Sequence, residues 1–271
     1  VKAAVLGKPI SHSLSPVLHN AAYQALGLNH EYSAIEVSEH ELGSFLTDLG
    51  SDWMGVSLTM PLKEIAFEFT NSVDQVAKLS GSINTLVFDE GIQAFNTDVI
   101  GIVEAIKEAS SADVSLGVIF GSGATARSAL MALGQLGARQ VNCVARNLND
   151  IEKMAELAAV IGVDFVSTSL NESGWMSADV VINTTSTGVL DELVREVSSP
   201  SGLLLDVIYN PWPTKLAASW SVAGGSIVSG LSMLLHQAGQ QVLLMTGEPA
   251  PIPQMRAALN LELLSRGLST I

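Results

Sequence analysis

Short apolar runs alternate with helix-length amphipathic stretches along most of the chain. AAVLG at 3–7, YSAIEV at 32–37 and WMGVSL at 53–58 each precede a segment whose apolar residues recur at helical spacing, at 16–26, 39–49 and 63–69. A polar interruption follows, KEASSADVS at 107–115, the best seam between two units. The rhythm then resumes with LGVIFG and a helix at 124–136, VNCVA and a helix at 149–161, and the strands VDFV, DVVIN, LLLDVIY and GSIVS. Strand, crossover helix, strand is the pattern of a parallel α/β sheet. Helical stretches at 231–245 and 251–266 have no strand after them and can close either unit. The expectation is a two-domain α/β chain: residues 1–101 completed by 238–271 form one open α/β domain, and 102–237 form the other.

At 271 residues and 48 % hydrophobic, the chain has apolar material for two cores. Its single cysteine, Cys143, excludes an intramolecular disulfide and points to a reducing, cytoplasmic setting. The opening VKAAVLGKPI lacks the pattern of a signal peptide, and no run approaches the ~18 apolar residues of a membrane span. With 13 Lys plus Arg against 27 Asp plus Glu, a net charge of -14 repels nucleic acid and anionic membranes. An anionic ligand must therefore be held by local donors. The five histidines lack ligand spacing, so no metal site is expected.

GSGATA at 121–126 follows a predicted strand and opens a predicted helix. A dinucleotide-binding turn needs small residues here: Gly121 for the tight turn, Gly123 for backbone approach to a diphosphate, Ala126 for helix packing. The amides of Ser122, Ala124 and Thr125 complete the anion cradle at the helix start. Tight turns also use glycine for steric reasons alone. The next strand ends in VARNLN at 144–149, where an acid would hold the ribose of NAD; Ala145 and Arg146 stand there instead. A guanidinium suits a 2′-phosphate, so the turn reads as an NADP site, with Arg127 a second candidate. The alternative is a surface Arg146 paired with Asp150 or Glu152.

In GKPISHSLSP at 7–16, Ser15 before Pro16 reads equally as a helix cap, an explanation that does not extend to Ser13. Together with VSLTMPLK, GSINTL, NTDVIG, DVIYNPWPT and GLSMLLHQA, in order from Gly7 to Ala238, this segment resembles the shikimate dehydrogenase family over nearly the whole chain. The resemblance implies a substrate domain, a Rossmann-like NADP domain and an active site in the cleft between them. It implies that Ser13 and Ser15 bind the substrate carboxylate, that Thr59, Asn84, Gln237 and Tyr209 are further substrate contacts, and that Lys63 and Asp98 are catalytic. Gly230 joins the cofactor residues. Three positions depart from the family pattern: Ser57 for Asn, Val99 for Gly, and Asn147 for Thr at an implied phosphate contact where Asn can still donate.

The implied reaction is NADPH-dependent reduction of 3-dehydroshikimate to shikimate. Ketone reduction needs a proton donor at the carbonyl oxygen, a part Lys63 can play, although by residue type alone it reads as a solvated lysine. Asp98 also reads as an N-cap for VIGIVEAI. The alternatives are an NAD-preferring quinate/shikimate dehydrogenase and a non-catalytic NADP-binding sensor. The expected partner is a small-molecule substrate, with no nucleic acid and no membrane, and a homodimer is the candidate assembly.

Overall fold

The chain enters strand β1 (Lys2–Gly7), crosses through α1 (Ser15–Ala25) to β2 (Glu31–Glu36), and returns through α2 (Leu42–Thr47) to β3 (Trp53–Leu58). It continues through α3 (Leu62–Ile65), a 3₁₀ turn at Ala66–Phe69, β4 (Ser72–Val73), α4 (Gln75–Ser80), β5 (Thr85–Asp89) and β6 (Gly91–Phe95). The structure, a computed structural model, describes residues Val1–Ile271 and divides into two units, Val1–Gly101 with Leu234–Ile271, and Ile102–Met233.

The first unit's sheet has the order β2-β1-β3-β5-β6-β4. β1 runs parallel to β2 and β3, whereas β5 is antiparallel to both β3 and β6. This sheet is therefore mixed, where the alternating rhythm predicted parallel pairing. The hairpin TLVFDEGIQAF escapes a strand–helix–strand reading because it has no helix between its strands, and it turns at Gly91, whose φ of +104° favours glycine. Reversal has a spatial consequence: Thr85 opens β5 opposite Ser57 near the end of β3, and Phe95 closes β6 opposite Thr85. The segments around 84 and 96–98 thus meet the loops that leave β1 and β3. Leu6, Val56, Leu62, Ile83 and Leu86 are buried together beneath this edge.

Helix α5 (Asp98–Ala109) leads into the second unit, built from β7 (Leu116–Phe120), α6 (Ala124–Gln135), β8 (Gln140–Val144), α7 (Leu148–Ile161), β9 (Asp164–Ser167), β10 (Val180–Asn183), β11 (Leu203–Asp206), α8 (Lys215–Val222) and β12 (Ser226–Ser229). All pairings in its sheet are parallel, in the order β12-β11-β10-β7-β8-β9. Chain order reverses between β7 and β10, the place where doubly wound sheets open a crevice for ligands. Phe120, Trp175 and Trp220 pack edge and tilted in its core, and the Trp220 indole donates to the Gly202 carbonyl at 3.2 Å. Helix α9 (Gly230–Thr246) rejoins the first unit at Leu234, and α10 (Ile252–Ser265) packs against α1.

One polar side chain of α1 sits entirely inside the first unit. His19 stacks on Tyr32 with centroids 3.9 Å apart, and its Nε2 lies 3.2 Å from Oε1 of Gln241. Burial pushes its pKa down from 6.5 to about 3, and the hydrogen bond to Gln241 opposes this only in part. Between those two values the unfolded chain binds a proton that the folded chain does not. Stability is therefore complete above pH 6.5 and falls as the pH falls, with a slope approaching about 1.4 kcal/mol per pH unit from this one group. Replacing His19 by Gln should flatten the pH dependence of urea unfolding between pH 6.5 and 5; parallel wild-type and variant curves would show that His19 does not titrate in this way.

Candidate active site

Three loops converge at the carboxyl ends of the parallel strands of the first unit. Gly7 ends β1, and a Cβ there would stand 2.4 Å from Cγ2 of Thr59, so glycine is what allows the loop after β3 to close over it. Backbone bonds from Lys8 N–H to the Met60 carbonyl (3.1 Å) and from Thr59 N–H to the Leu6 carbonyl (3.0 Å) join the two loops. In the serine loop the capping roles are the reverse of those expected. Leu14, not Ser15, is the N-cap of α1 and offers no side-chain bond, while Ser13 Oγ accepts the Ser15 N–H at 3.3 Å. Ser15 is 5 % exposed, and its hydroxyl makes no hydrogen bond within the chain.

Lys63, in the four-residue α3, is not a solvated lysine. Its Nζ donates to Asp98 Oδ2 at 2.5 Å, with side-chain exposures of 17 % and 6 %. The other oxygen of Asp98, Oδ1, accepts from Asn84 Nδ2 at 2.8 Å. With both oxygens engaged, Asp98 does not cap α5; Asn96 Oδ1 instead accepts the Asp98 N–H at 2.9 Å. Asn84 is held on every side: Nδ2 also donates to Thr97 Oγ1 (2.9 Å), and Oδ1 accepts from Thr97 N–H and Thr85 Oγ1, both at 2.8 Å. Its amide therefore binds Asp98 here and keeps no donor for the substrate contact expected of it. Gln237 on α9 joins the cluster through Thr97 Oγ1 at 3.5 Å and donates to the Leu234 carbonyl at 2.9 Å. The arrangement is a half-open ammonium fixed by a buried carboxylate, beside hydroxyls able to bind an acid.

Ser57, where the family pattern has Asn, accepts from Tyr32 OH at 2.6 Å and donates to Gln241 Oε1 at 2.9 Å. Gln241 and Thr85 are polar residues of this cluster that the sequence reading missed. The signal for Gln241 was its spacing, one helical turn from Gln237.

In the second unit, residues 121–126 follow β7 as predicted. Gly121 has φ +106°, and a Cβ on it would lie 2.5 Å from Thr184 Oγ1, so the turn requires glycine; Gly123 faces open space. Gly123 is the N-cap of α6 without a side-chain bond, which leaves first-turn N–H groups available to an anion, and Ala126 is buried. Ser122 is buried, and Ala124 and Thr125 form the first turn of α6. At the end of β8, Ala145 is half-buried, while Arg146 is exposed and in no ion pair. The expected rival partner Asp150 is engaged by Lys153 at 3.6 Å and by Asn147 Nδ2 at 2.7 Å. One expectation changes. Arg127 is only 4 % exposed, so it does not stand at the surface beside Arg146. Asn147 is the N-cap of α7, its Oδ1 accepting from Asn149 N–H at 3.2 Å, and one of its two amide protons goes to Asp150, which leaves one to donate. Tyr209 is half-buried in the loop after β11, and Gly230 opens α9, where a Cβ would meet the Val207 carbonyl at 2.1 Å. This set, small residues at the turn, open amides, no acid at 145 and an arginine in no ion pair, fits NADP.

Comparison with known proteins gives the same picture. Residues 5–86 match the shikimate dehydrogenase substrate binding domain, and residues 230–259 match the shikimate 5'-dehydrogenase C-terminal domain. The NADP(+) shikimate dehydrogenase of Methanopyrus kandleri is 35 % identical over 94 % of this chain and 93 % of its own length. The crystal structure of Mycobacterium tuberculosis shikimate dehydrogenase is 40 % identical, superposes with a TM-score of 0.90, and covers 96 % of this chain and 99 % of that one. The Thermus thermophilus enzyme in complex with NADP(H) and shikimate is 29 % identical with a TM-score of 0.83, covering 96 % and 99 %. With relatives this similar over nearly its full length, the chain belongs to the shikimate dehydrogenase family.

Proposed function

We propose that this chain catalyses the reversible, NADP-dependent interconversion of 3-dehydroshikimate and shikimate, with Lys63 and Asp98 handling the proton. The observation that carries the reading is the bond from Lys63 Nζ to Asp98 Oδ2, in a cluster that also contains Asn84, Thr97 and Gln237. Bound NADPH supplies the hydride that adds to the carbonyl carbon, and NADP+ accepts it in the reverse direction. Lys63 Nζ gives the proton that the carbonyl oxygen gains, and takes it back when shikimate is oxidised. Asp98 holds the ammonium in place, and Asn84 serves the site by holding Asp98. Ser13 keeps its hydroxyl proton because its oxygen only accepts from Ser15 N–H, so both serines can donate to a carboxylate at the start of α1. Thr59 and Gln237 contact the substrate hydroxyls, and Tyr209 lies at the nicotinamide end.

For the cofactor, the backbone of 121–126 holds the diphosphate, Arg146 holds the 2′-phosphate, and Gly230, at the start of α9, is a further cofactor contact. The unpaired state of Arg146 supports NADP over NAD, and the Lys63–Asp98 bond supports an enzyme over a sensor. A reducing, cytoplasmic setting is part of the proposal, supported by the single free and buried cysteine. So is a homodimer, for which the exposed Leu261 and Leu264 of α10 offer an apolar surface; a sedimenting mass of one chain would exclude it.

Lys63→Ala should lower kcat by about 100- to 10,000-fold with little change in the Kd of shikimate or NADP+, because the donor acts on charge that develops in the transition state. A surviving kcat with a raised shikimate Kd would make Lys63 a binding residue. For Arg146→Ala, the loss of a charged contact of roughly 1.5 to 3 kcal/mol should weaken NADP+ and leave NAD+ unchanged. Titration of both cofactors separates the cases, and equal losses would refute the assignment. The double variant Ser13→Ala with Ser15→Ala should raise the KM for shikimate and leave that for NADP+ unaltered; normal kinetics in a less stable protein would reduce the serines to a structural role.

A further inference from the structure

Gln241 lies one turn beyond Gln237 on α9 and is 1 % exposed. All four positions of its carboxamide are used. Oε1 accepts from Ser57 Oγ at 2.9 Å and from His19 Nε2 at 3.2 Å; Nε2 donates to Thr85 Oγ1 at 3.0 Å and to the Asn84 carbonyl at 3.3 Å. One side chain thus ties α9 to α1, β3 and the start of β5. Its orientation has a fixed end, because a backbone carbonyl only accepts and Nε2 must face Asn84 O. Thr85 Oγ1, receiving that amide proton, directs its own proton to Asn84 Oδ1 at 2.8 Å. Asn84 is then committed to presenting Nδ2 to Asp98 Oδ1, and Asp98 presents Oδ2 to Lys63.

We propose that Gln241, acting through Thr85 and Asn84, is a positioning residue for the Lys63–Asp98 pair, and that the same anchorage sets the height of Gln237 on α9. The donors run in one direction from Gln241 to Asp98, so each bond aligns the next. Gln241 touches neither Lys63 nor Asp98 and acts only through the groups between. The proposal rests on the reading of Lys63 and Asp98 as the proton-handling pair.

The test compares Gln241→Met, which keeps much of the volume and removes every polar bond, with Thr85→Val and Thr85→Ser. Purified proteins are assayed for kcat, the KM of shikimate and of NADP+, and active fraction, each alone and on an Asp98→Asn background. Gln241→Met should lower kcat per folded molecule by about 10- to 100-fold, as misplacement of a reacting group does, while leaving the KM of NADP+ alone. Thr85→Val should lower kcat in the same direction, and Thr85→Ser, which keeps the hydroxyl, should recover it. On the Asp98→Asn background the further loss should shrink to within about 2-fold, because the effect passes through that carboxylate. A kcat per folded molecule near wild type in Gln241→Met, or a loss that multiplies in full with Asp98→Asn, would overturn the proposal. If Gln241→Met does not fold, the Thr85 pair decides: equal rates for Val and Ser overturn it. Failure of the underlying reading has a different signature, since Lys63→Ala and Asp98→Asn would then turn over normally by themselves.

Discussion

A carboxylate removed from water must have its oxygens engaged, and in this chain that demand falls on Asp98. Its desolvation is offset by an ammonium on one oxygen and an amide on the other. Neither partner is near it in sequence, so the first unit must bring α3, the start of β5 and the start of α5 to one place. The requirement continues outward. The amide that serves Asp98 is itself buried, and its oxygen needs donors, supplied by Thr85 and Thr97. Thr85 in turn is met by Gln241, and Gln241 by Ser57 and His19. A partly satisfied network of this kind would destabilise the core more than an apolar one; a fully satisfied one fixes a single arrangement.

The topology of the sheet makes that convergence possible. Were β5 parallel to β3, Asn84 would lie at the opposite end of the sheet from Lys63. Antiparallel pairing places it beside the carboxyl end of β3, where the Leu58 N–H donates to its carbonyl at 2.8 Å and the Ile83 N–H donates to the Lys63 carbonyl at 2.9 Å. Lys63 and the Asn84 that engages Asp98 are thus each held by a backbone bond, and a site built on rigid elements is more precise than one on a loop. Burial then acts on the acid–base properties of the surroundings: His19, deep in the same core, is held neutral.

The second unit solves a different problem. In an acidic chain it presents groups, suited to an anion, whose charge does not depend on side-chain neighbours: backbone amides at the open start of α6 and a guanidinium left unpaired at the end of β8. Asp150, the nearest competitor along the chain, is occupied by Lys153 and Asn147, so the acid nearby does not neutralise Arg146.

Local periodicity was enough to read most of the strands and helices, because side-chain direction along a strand or helix repeats every few residues and burial of one face follows from it. The glycine turn was legible for the same reason, since a backbone with positive φ at Gly121 excludes a side chain wherever the rest of the chain lies. The candidate site was legible only as a set of motifs, whose roles came through resemblance to a family. Which serine receives an N–H, whether Arg127 faces solvent, whether Asn84 keeps a free donor, and that β5 folds back on β3 were decided by the tertiary structure. Partners such as Lys63 and Asp98, 35 residues apart, meet only after the sheet has paired, and a side chain's hydrogen bonds depend on which groups burial leaves within reach.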